Sequence, residues 1–258
     1  MRDELLRKEA AGHPYPLLFA TISGAHLYGF PSPDSDYDLR GVHVLPADEA
    51  VGLLPKRETI DSSCVRGDAE IDFITHDVLK FFTMLLKRNG YVLEQLYSPL
   101  VVYTTPEHQE LKDIASECIT RNHSHHYLGF AATQWDMFRK EDPPRVKTLL
   151  YTYRVLLTGI HLMRTGKIEA NLAILNEEFR LQYVPELIQR KISGAEKSLL
   201  PAGEKALHER EYTRLRCQLE EEAAKSNLPS EPSCRERLND LLVRLRLDRK
   251  HLAGTRAD

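Results

Sequence analysis

The sequence predicts an α+β fold: a small mixed β-sheet with flanking helices in residues 1–105, followed by an all-helical C-terminal domain in residues 106–258. Two observations carry this expectation. Short β-branched or alternating runs crowd into residues 16–75, and from Pro106 onward nearly every stretch places its apolar residues at helical spacing. A third observation marks where chemistry would sit. In GAHLYGFPSPDSDYDLRG (24–41) two aspartates stand one residue apart after a glycine-punctuated turn.

PLLFATIS (16–23) is apolar and β-branched, as a buried strand requires, and DYDLRGVHVL (36–45) alternates before turning apolar. ETIDSSCVRG and AEIDFIT read as two further strands, with Gly67-Asp68 as the turn between them. Asp77 to Arg88 has the helical period, and Asn89-Gly90 reads first as its C-terminal cap. Tyr91 to Tyr97 forms a short helix before Pro99.

The helical half begins with EHQELKDIASECI and continues through His125 to Lys140. Asp142-Pro143-Pro144 then sets the start of RVKTLLYTYRVLLTGIHLMRTG. Helices around 180–192 and 203–225 follow, and SNLPSEPS leads to an amphipathic final helix, RERLNDLLVRLRLDRK.

Composition narrows the function classes. With 258 residues, 42% hydrophobic, 28% charged and a formal charge of -3, the chain has no basic excess, so a nucleic-acid partner must be met by a local patch. No apolar run approaches the roughly 20 residues that cross a bilayer, and the charged N-terminus is unlike a signal peptide. Cys64, Cys118, Cys217 and Cys234 form no CxxC pair, so neither a disulfide framework nor a zinc site is expected. The expected setting is the cytoplasm, without membrane contact.

A strand projects residues i and i+2 from one face, so Asp36 and Asp38 point the same way. Paired carboxylates repel unless a cation sits between them, and a hard cation such as Mg²⁺ prefers oxygen ligands. EIDF offers a third carboxylate on a neighbouring strand, Asp72, or Glu70 on the same face. Two-metal phosphoryl transfer uses such a set. Arg40 is expected to face away from the pair and to form a structural salt bridge, with Asp34 or Asp68 as partner.

Residues 22–44 resemble the signature of the DNA polymerase beta superfamily of nucleotidyltransferases, in which a strand ends in Gly-Ser, a short helix follows, and a second strand carries paired aspartates. The likeness is nearest to the RNA-repair-associated (RlaP-like) predicted nucleotidyltransferases, with motifs G-S-x-x-Y-G and S-D-x-D-x-R-G. Gly24, Leu27-Tyr28-Gly29 and Ser35-Asp36-Tyr37-Asp38-Leu39-Arg40-Gly41 match them. DVLKFFTMLLKRNGYVLEQLYSP and KTLLYTYRVLLTG also resemble that family, so the likeness runs over residues 17 to 166.

The resemblance implies a nucleotidyltransferase sheet whose helical domain covers the nucleotide and acceptor cleft. Asp36, Asp38 and Asp72 would hold Mg²⁺ or Mn²⁺, with Asp72 activating the acceptor hydroxyl. An NTP such as ATP would donate its nucleoside monophosphate, with RNA as the acceptor. Gly24, Ala25, His26 and Ser35 would meet the phosphates. Ala25 departs from the family serine and removes a hydroxyl, which favours an alternative: a catalytically silent nucleotide sensor or partner-binding module. His26, or Ser23 just before the glycine, offers a donor in its place.

Lys147, Tyr151 and Arg154 share a helix face at i, i+4 and i+7. The two bases suit a triphosphate, and the tyrosine suits stacking on a base. Glu94 is a weaker candidate for positioning the acceptor. RNHSHH (121–126) places Arg121 and His126 as in HEPN-like ribonucleases, which act without metal, although a histidine-rich helix start meets the same pattern. In the final helix Arg235, Arg237, Arg244, Arg246, Arg249 and Lys250 offer an RNA-facing patch, beside leucines that pack within the monomer by default or, as second choice, along a homodimer seam.

Overall fold

The structure is a computed structural model, which describes residues 2–53, 57–67, 69–194 and 198–247. In chain order the first elements are α1 (Arg2–Ala11), β1 (Leu17–Ile22), α2 (Gly24–Tyr28), β2 (Tyr37–His43) and α3 (Ala47–Val51). Then come β3 (Thr59–Asp61), β4 (Cys64–Arg66), β5 (Ala69–Asp77), α4 (Val78–Leu86), α5 (Gly90–Leu96) and β6 (Val101–Thr104). The helical part comprises α6 (Pro106–Ala115), α7 (Ser124–Lys140), α8 (Val146–Thr165), α9 (Leu172–Phe179), α10 (Tyr183–Ser193), α11 (Lys205–Lys225) and α12 (Arg235–Leu247).

Two compact units result, and they are interleaved rather than divided once near residue 105. The first comprises residues 1–23, 36–118 and 232–258; the second comprises 24–35 and 119–231. The final helix returns to the first unit because its apolar stripe is needed there. Leu238, Leu241 and Leu245 are buried. Cys118 and Cys234 form a disulfide, against the expectation from sequence, and so join two chain segments of the first unit that lie 116 residues apart.

The first unit holds a mixed sheet ordered β3-β5-β2-β1-β6, with β4 also on β5. β2 and β5 run parallel, and the other pairs are antiparallel. The stretch read as one strand over 58–67 is two, β3 and β4, which both pair with β5. Leu17, Ala20, Leu39, Ile71 and Phe73 pack with Leu6 and Ala10 of α1 into a core on the sheet. Gly41 is required by packing, since a Cβ there would stand 2.7 Å from the Phe19 carbonyl of β1. Asp77 caps α4 by accepting from the Leu79 amide, and Asn89 caps the start of α5 through the Tyr91 amide rather than ending α4.

The second unit is built around α8, whose residues are buried on almost every side. Gly159 of α8 lets α7 approach closely, because a Cβ there would lie 2.9 Å from the Tyr127 Cβ. Trp135 of α7 stacks on Tyr212 of α11 with ring centres 4.5 Å apart. Gly166, at φ 70°, ends α8 in the left-handed conformation. Among the described residues no helix is long and apolar enough to cross a membrane.

Candidate active site

The parallel pairing of β2 with β5 sets the site. Asp38 lies directly opposite Asp72 in the register, Tyr37 opposite Ile71, and Leu39 opposite Phe73. The alternating residues Leu39, Ile71 and Phe73 anchor the apolar face, which leaves Asp38 and Asp72 on the other face, partly exposed. Asp36 lies just ahead of β2 and is half-buried. Glu70, two residues before Asp72, is exposed.

Arg40 is where the sequence expectation fails. Residues 36, 38 and 40 share the two-residue period of a strand, so Arg40 belongs on the aspartate face rather than opposite it. Its Nη2 donates to Asp38 Oδ1 and to Asp72 Oδ2, each at 2.7 Å. Nη1 donates to the carbonyls of Leu39 at 3.0 Å and Asp72 at 2.6 Å, and Nε donates to the Tyr91 hydroxyl at 3.0 Å. Its partners are therefore the aspartates themselves, not Asp34; the other expected partner, Asp68, lies outside the described residues. Arg40 is 8% exposed, and a buried cation with five such acceptors stays protonated. Sequence could have found this by counting parity along Asp36, Asp38 and Arg40.

Asp72 is held from the other side as well, since Ser63 Oγ donates to its Oδ1 at 2.8 Å. Ser63 also donates to Asp61, whose pKa those hydrogen bonds lower. On the same sheet His76 is pushed down to about 4, first by burial and then by the charges of Lys80 and Arg40. Among the described residues no group of three or more His, Cys, Asp or Glu side chains is already arranged to hold a metal ion. At Asp38 and Asp72 the bridging position belongs to a guanidinium.

The residues do fit a hard cation. Both carboxylates are oxygen donors, side by side and partly open, and the group now bridging them is itself a cation.

The glycine turn and the basic helix face lie in the second unit. Gly24 stands at φ 61°, which admits the sharp turn into α2, and Ala25 is buried. His26 is half-buried on α2. Ser23, the last residue of the first unit's opening segment, donates its amide to the Asp38 carbonyl at 2.8 Å, while its buried hydroxyl has no hydrogen-bond partner among the described residues. Ser35 is tied into its own turn, accepting from the Ser32 amide at 3.0 Å.

Lys147, Tyr151 and Arg154 do share one face of α8. Arg154 Cζ lies 4.0 Å over the Tyr28 ring, Tyr151 meets Tyr28 and Phe30 edge-on at 5.5 and 5.6 Å, and Lys147 Nζ lies 5.9 Å from the Tyr151 ring centre. Lys147 and Tyr151 line a cavity of about 310 Å³ with Gln134, Met137, Arg145 and Thr148. Arg154 is 2% exposed, so its guanidinium packs against rings rather than facing solvent.

The remaining candidates are dispersed. Glu94 is buried on α5. Arg121 is exposed in a short 3-10 turn, whereas His126 lies on α7, stacked on Phe130 at 6.3 Å, with its pKa lowered by burial and by Arg154. The arginines of α12 are engaged within the first unit: Arg237 pairs with Glu117, Arg244 with Glu110 and Arg246 with Asp77. Arg237 and Arg244 remain more than half exposed in these pairs. Arg235 is exposed, and Arg249 and Lys250 lie outside the described residues.

The chain is 32% identical over 154 residues to the uncharacterized protein MJ0002 of Methanocaldococcus jannaschii, a match covering 60% of this chain and 63% of that protein. It is 26% identical over 208 residues to the uncharacterized protein YcgL of Bacillus subtilis, covering 76% and 77%. A solved nucleotidyltransferase-like protein from Exiguobacterium sibiricum aligns over 87% of this chain and 75% of that one, at 13% identity and a TM-score of 0.34. The likeness read from sequence over residues 17 to 166 extends further, for the chain belongs to the RlaP family, the RNA repair pathway DNA polymerase beta family, whose model matches residues 1–244.

Proposed function

We propose that the protein is a metal-dependent nucleotidyltransferase that passes a nucleoside monophosphate from an NTP to an acceptor hydroxyl, with RNA as the acceptor and the cytoplasm as the setting. The observation that carries this reading is the direct register of Asp38 and Asp72 on neighbouring parallel strands, with Asp36 just ahead of β2. Family membership supports the reaction class and the RNA acceptor. Mg²⁺ or Mn²⁺ held by Asp36, Asp38 and Asp72 would supply charge neutralisation of the triphosphate and of the attacking oxygen.

This chain's own residues do the rest by positioning. Asp72, with one oxygen fixed by Ser63 and the other by Arg40, is oriented to take the proton of the acceptor hydroxyl. Gly24, His26 and Ser35 are assigned to the phosphates, with Ser23 as the hydroxyl nearest in sequence to the one missing at Ala25. Lys147 and Tyr151 are assigned to the nucleotide through the cavity they line. Arg154 supports them from beneath, by fixing Tyr28.

The test incubates the protein with each α-³²P-labelled NTP, Mg²⁺ or Mn²⁺, and total RNA, beside an Asp36→Ala/Asp38→Ala variant. Label entering RNA with the wild type alone is the expected result. Equal labelling by the variant would overturn the reading. NTP binding without transfer would favour the silent sensor instead, for which Ala25 and the Arg40 bridge are the specific observations.

A further inference from the structure

Arg40 binds the carboxylates that the proposed function assigns to the metal. One nitrogen, Nη2, holds one oxygen of Asp38 and one of Asp72. The other two nitrogens are anchored away from that point, Nη1 on the carbonyls of Leu39 and Asp72 and Nε on Tyr91. Tyr91 is held in turn at the capped start of α5, where Asn89 accepts from its amide. The guanidinium can therefore release Nη2 while three hydrogen bonds keep its head in place. It cannot be switched off by deprotonation, so displacement is the way a second cation gains the shared point.

We propose that Arg40 is a positioning residue that holds Asp38 and Asp72 together before metal arrives and then yields the shared point to it, so that metal loading and the Arg40 bridge compete. The inference rests on the metal-dependent reading above and adds to it a built-in counter-cation. Without one, two adjacent carboxylates would repel, and the parallel register that places them would be strained in the metal-free protein. With it, the metal-free protein keeps the site assembled and pays with weaker metal affinity.

The experiment titrates Mn²⁺ alone, without NTP, by isothermal calorimetry into the wild type, Arg40→Met, Arg40→Lys and Tyr91→Phe, with Asp36→Ala/Asp38→Ala as the control. Thermal unfolding is followed with and without Mn²⁺. Arg40→Met is expected to bind Mn²⁺ about tenfold more tightly, since the competing charge is gone, and to recover with Mn²⁺ the thermal stability it loses without it. Arg40→Lys keeps the charge but not the fork, so tighter binding there separates a displaced bridge from mere loss of a nearby charge. Tyr91→Phe removes one anchor and is expected to shift affinity the same way by a smaller factor.

Wild-type affinity in a folded Arg40→Met would overturn the inference while leaving the metal-dependent reading intact, provided the aspartate control loses binding. Should Arg40→Met fail to fold, unchanged affinity in both Tyr91→Phe and Arg40→Lys would overturn it equally. Absence of Mn²⁺ binding in every protein would overturn the inference and the metal-dependent reading together. Binding by Arg40→Met but not by the wild type would support both.

Discussion

Two buried arginines, one in each unit, differ in the groups that lie against them. Arg40, 8% exposed, is met by carboxylates and carbonyls through directed hydrogen bonds on the sheet. Arg154, 2% exposed, counts the faces of Tyr28 and Phe130 among its contacts, at 4.0 and 5.9 Å. A guanidinium bound to carboxylates keeps opposed charges in one place. A guanidinium over ring faces fixes aromatic packing. On the proposed function the carboxylates of the sheet unit would do the chemistry, while in the helical unit Arg154 packs over Tyr28, whose ring meets Tyr151.

Perturbations sharpen this contrast, the largest first. Cys118→Ser, or reduction of the disulfide, acts on the sheet unit by freeing a loop of 116 residues. On the chain-entropy account it should cost roughly 4–5 kcal/mol, read as a lower midpoint in thermal or urea unfolding. Arg40→Ala strands two carboxylates that are only partly open to water, and a loss of about 3 kcal/mol is expected. Tyr28→Leu removes a ring face from Arg154 and should cost about 2 kcal/mol. If Tyr28→Leu proved as damaging as Arg40→Ala, the contrast between the two arginines would fail.

The gentlest perturbation is pH. Burial pushes His43 down to about 3 and His108 down to about 4, both in the sheet unit. Folded values below the ordinary 6.5 mean that the unfolded chain takes up protons first as pH falls. The stability these histidines confer is full above pH 6.5 and is lost as pH falls toward about 4 for His108 and about 3 for His43, so the midpoint at pH 5 should lie below that at pH 7. An equal midpoint at the two values would remove the histidines from the account.

Much of the sheet was legible because its strands announce themselves by alternation, and the order of turn, Asp36 and Asp38 pointed to the edge where they meet. That β5 would lie beside β2 also followed from reading EIDF as a strand. The contribution of Arg40 was present in the sequence as the two-residue period and was misread. The disulfide was not legible, because cysteines 116 residues apart carry no pairing signal before the fold brings their Cα atoms to 5.7 Å. Nor was the return of α12 to the sheet unit, since an amphipathic helix shows that it packs without showing on what. β6 escaped because its four residues are mostly exposed and lack a clean alternation. α9 and α1 escaped as short or strongly polar helices held mainly by what they pack on.

The central claim is that the adjacent carboxylates carry nucleotidyl transfer. Asp72→Asn tests it most directly, because the amide keeps the size of the side chain and the strand register while removing the charge and the proton acceptor. Initial rates of α-³²P transfer from an NTP to RNA, measured beside the wild type at matched folding by circular dichroism, should fall by about a hundredfold or more. A rate for Asp72→Asn equal to that of the wild type would contradict the account.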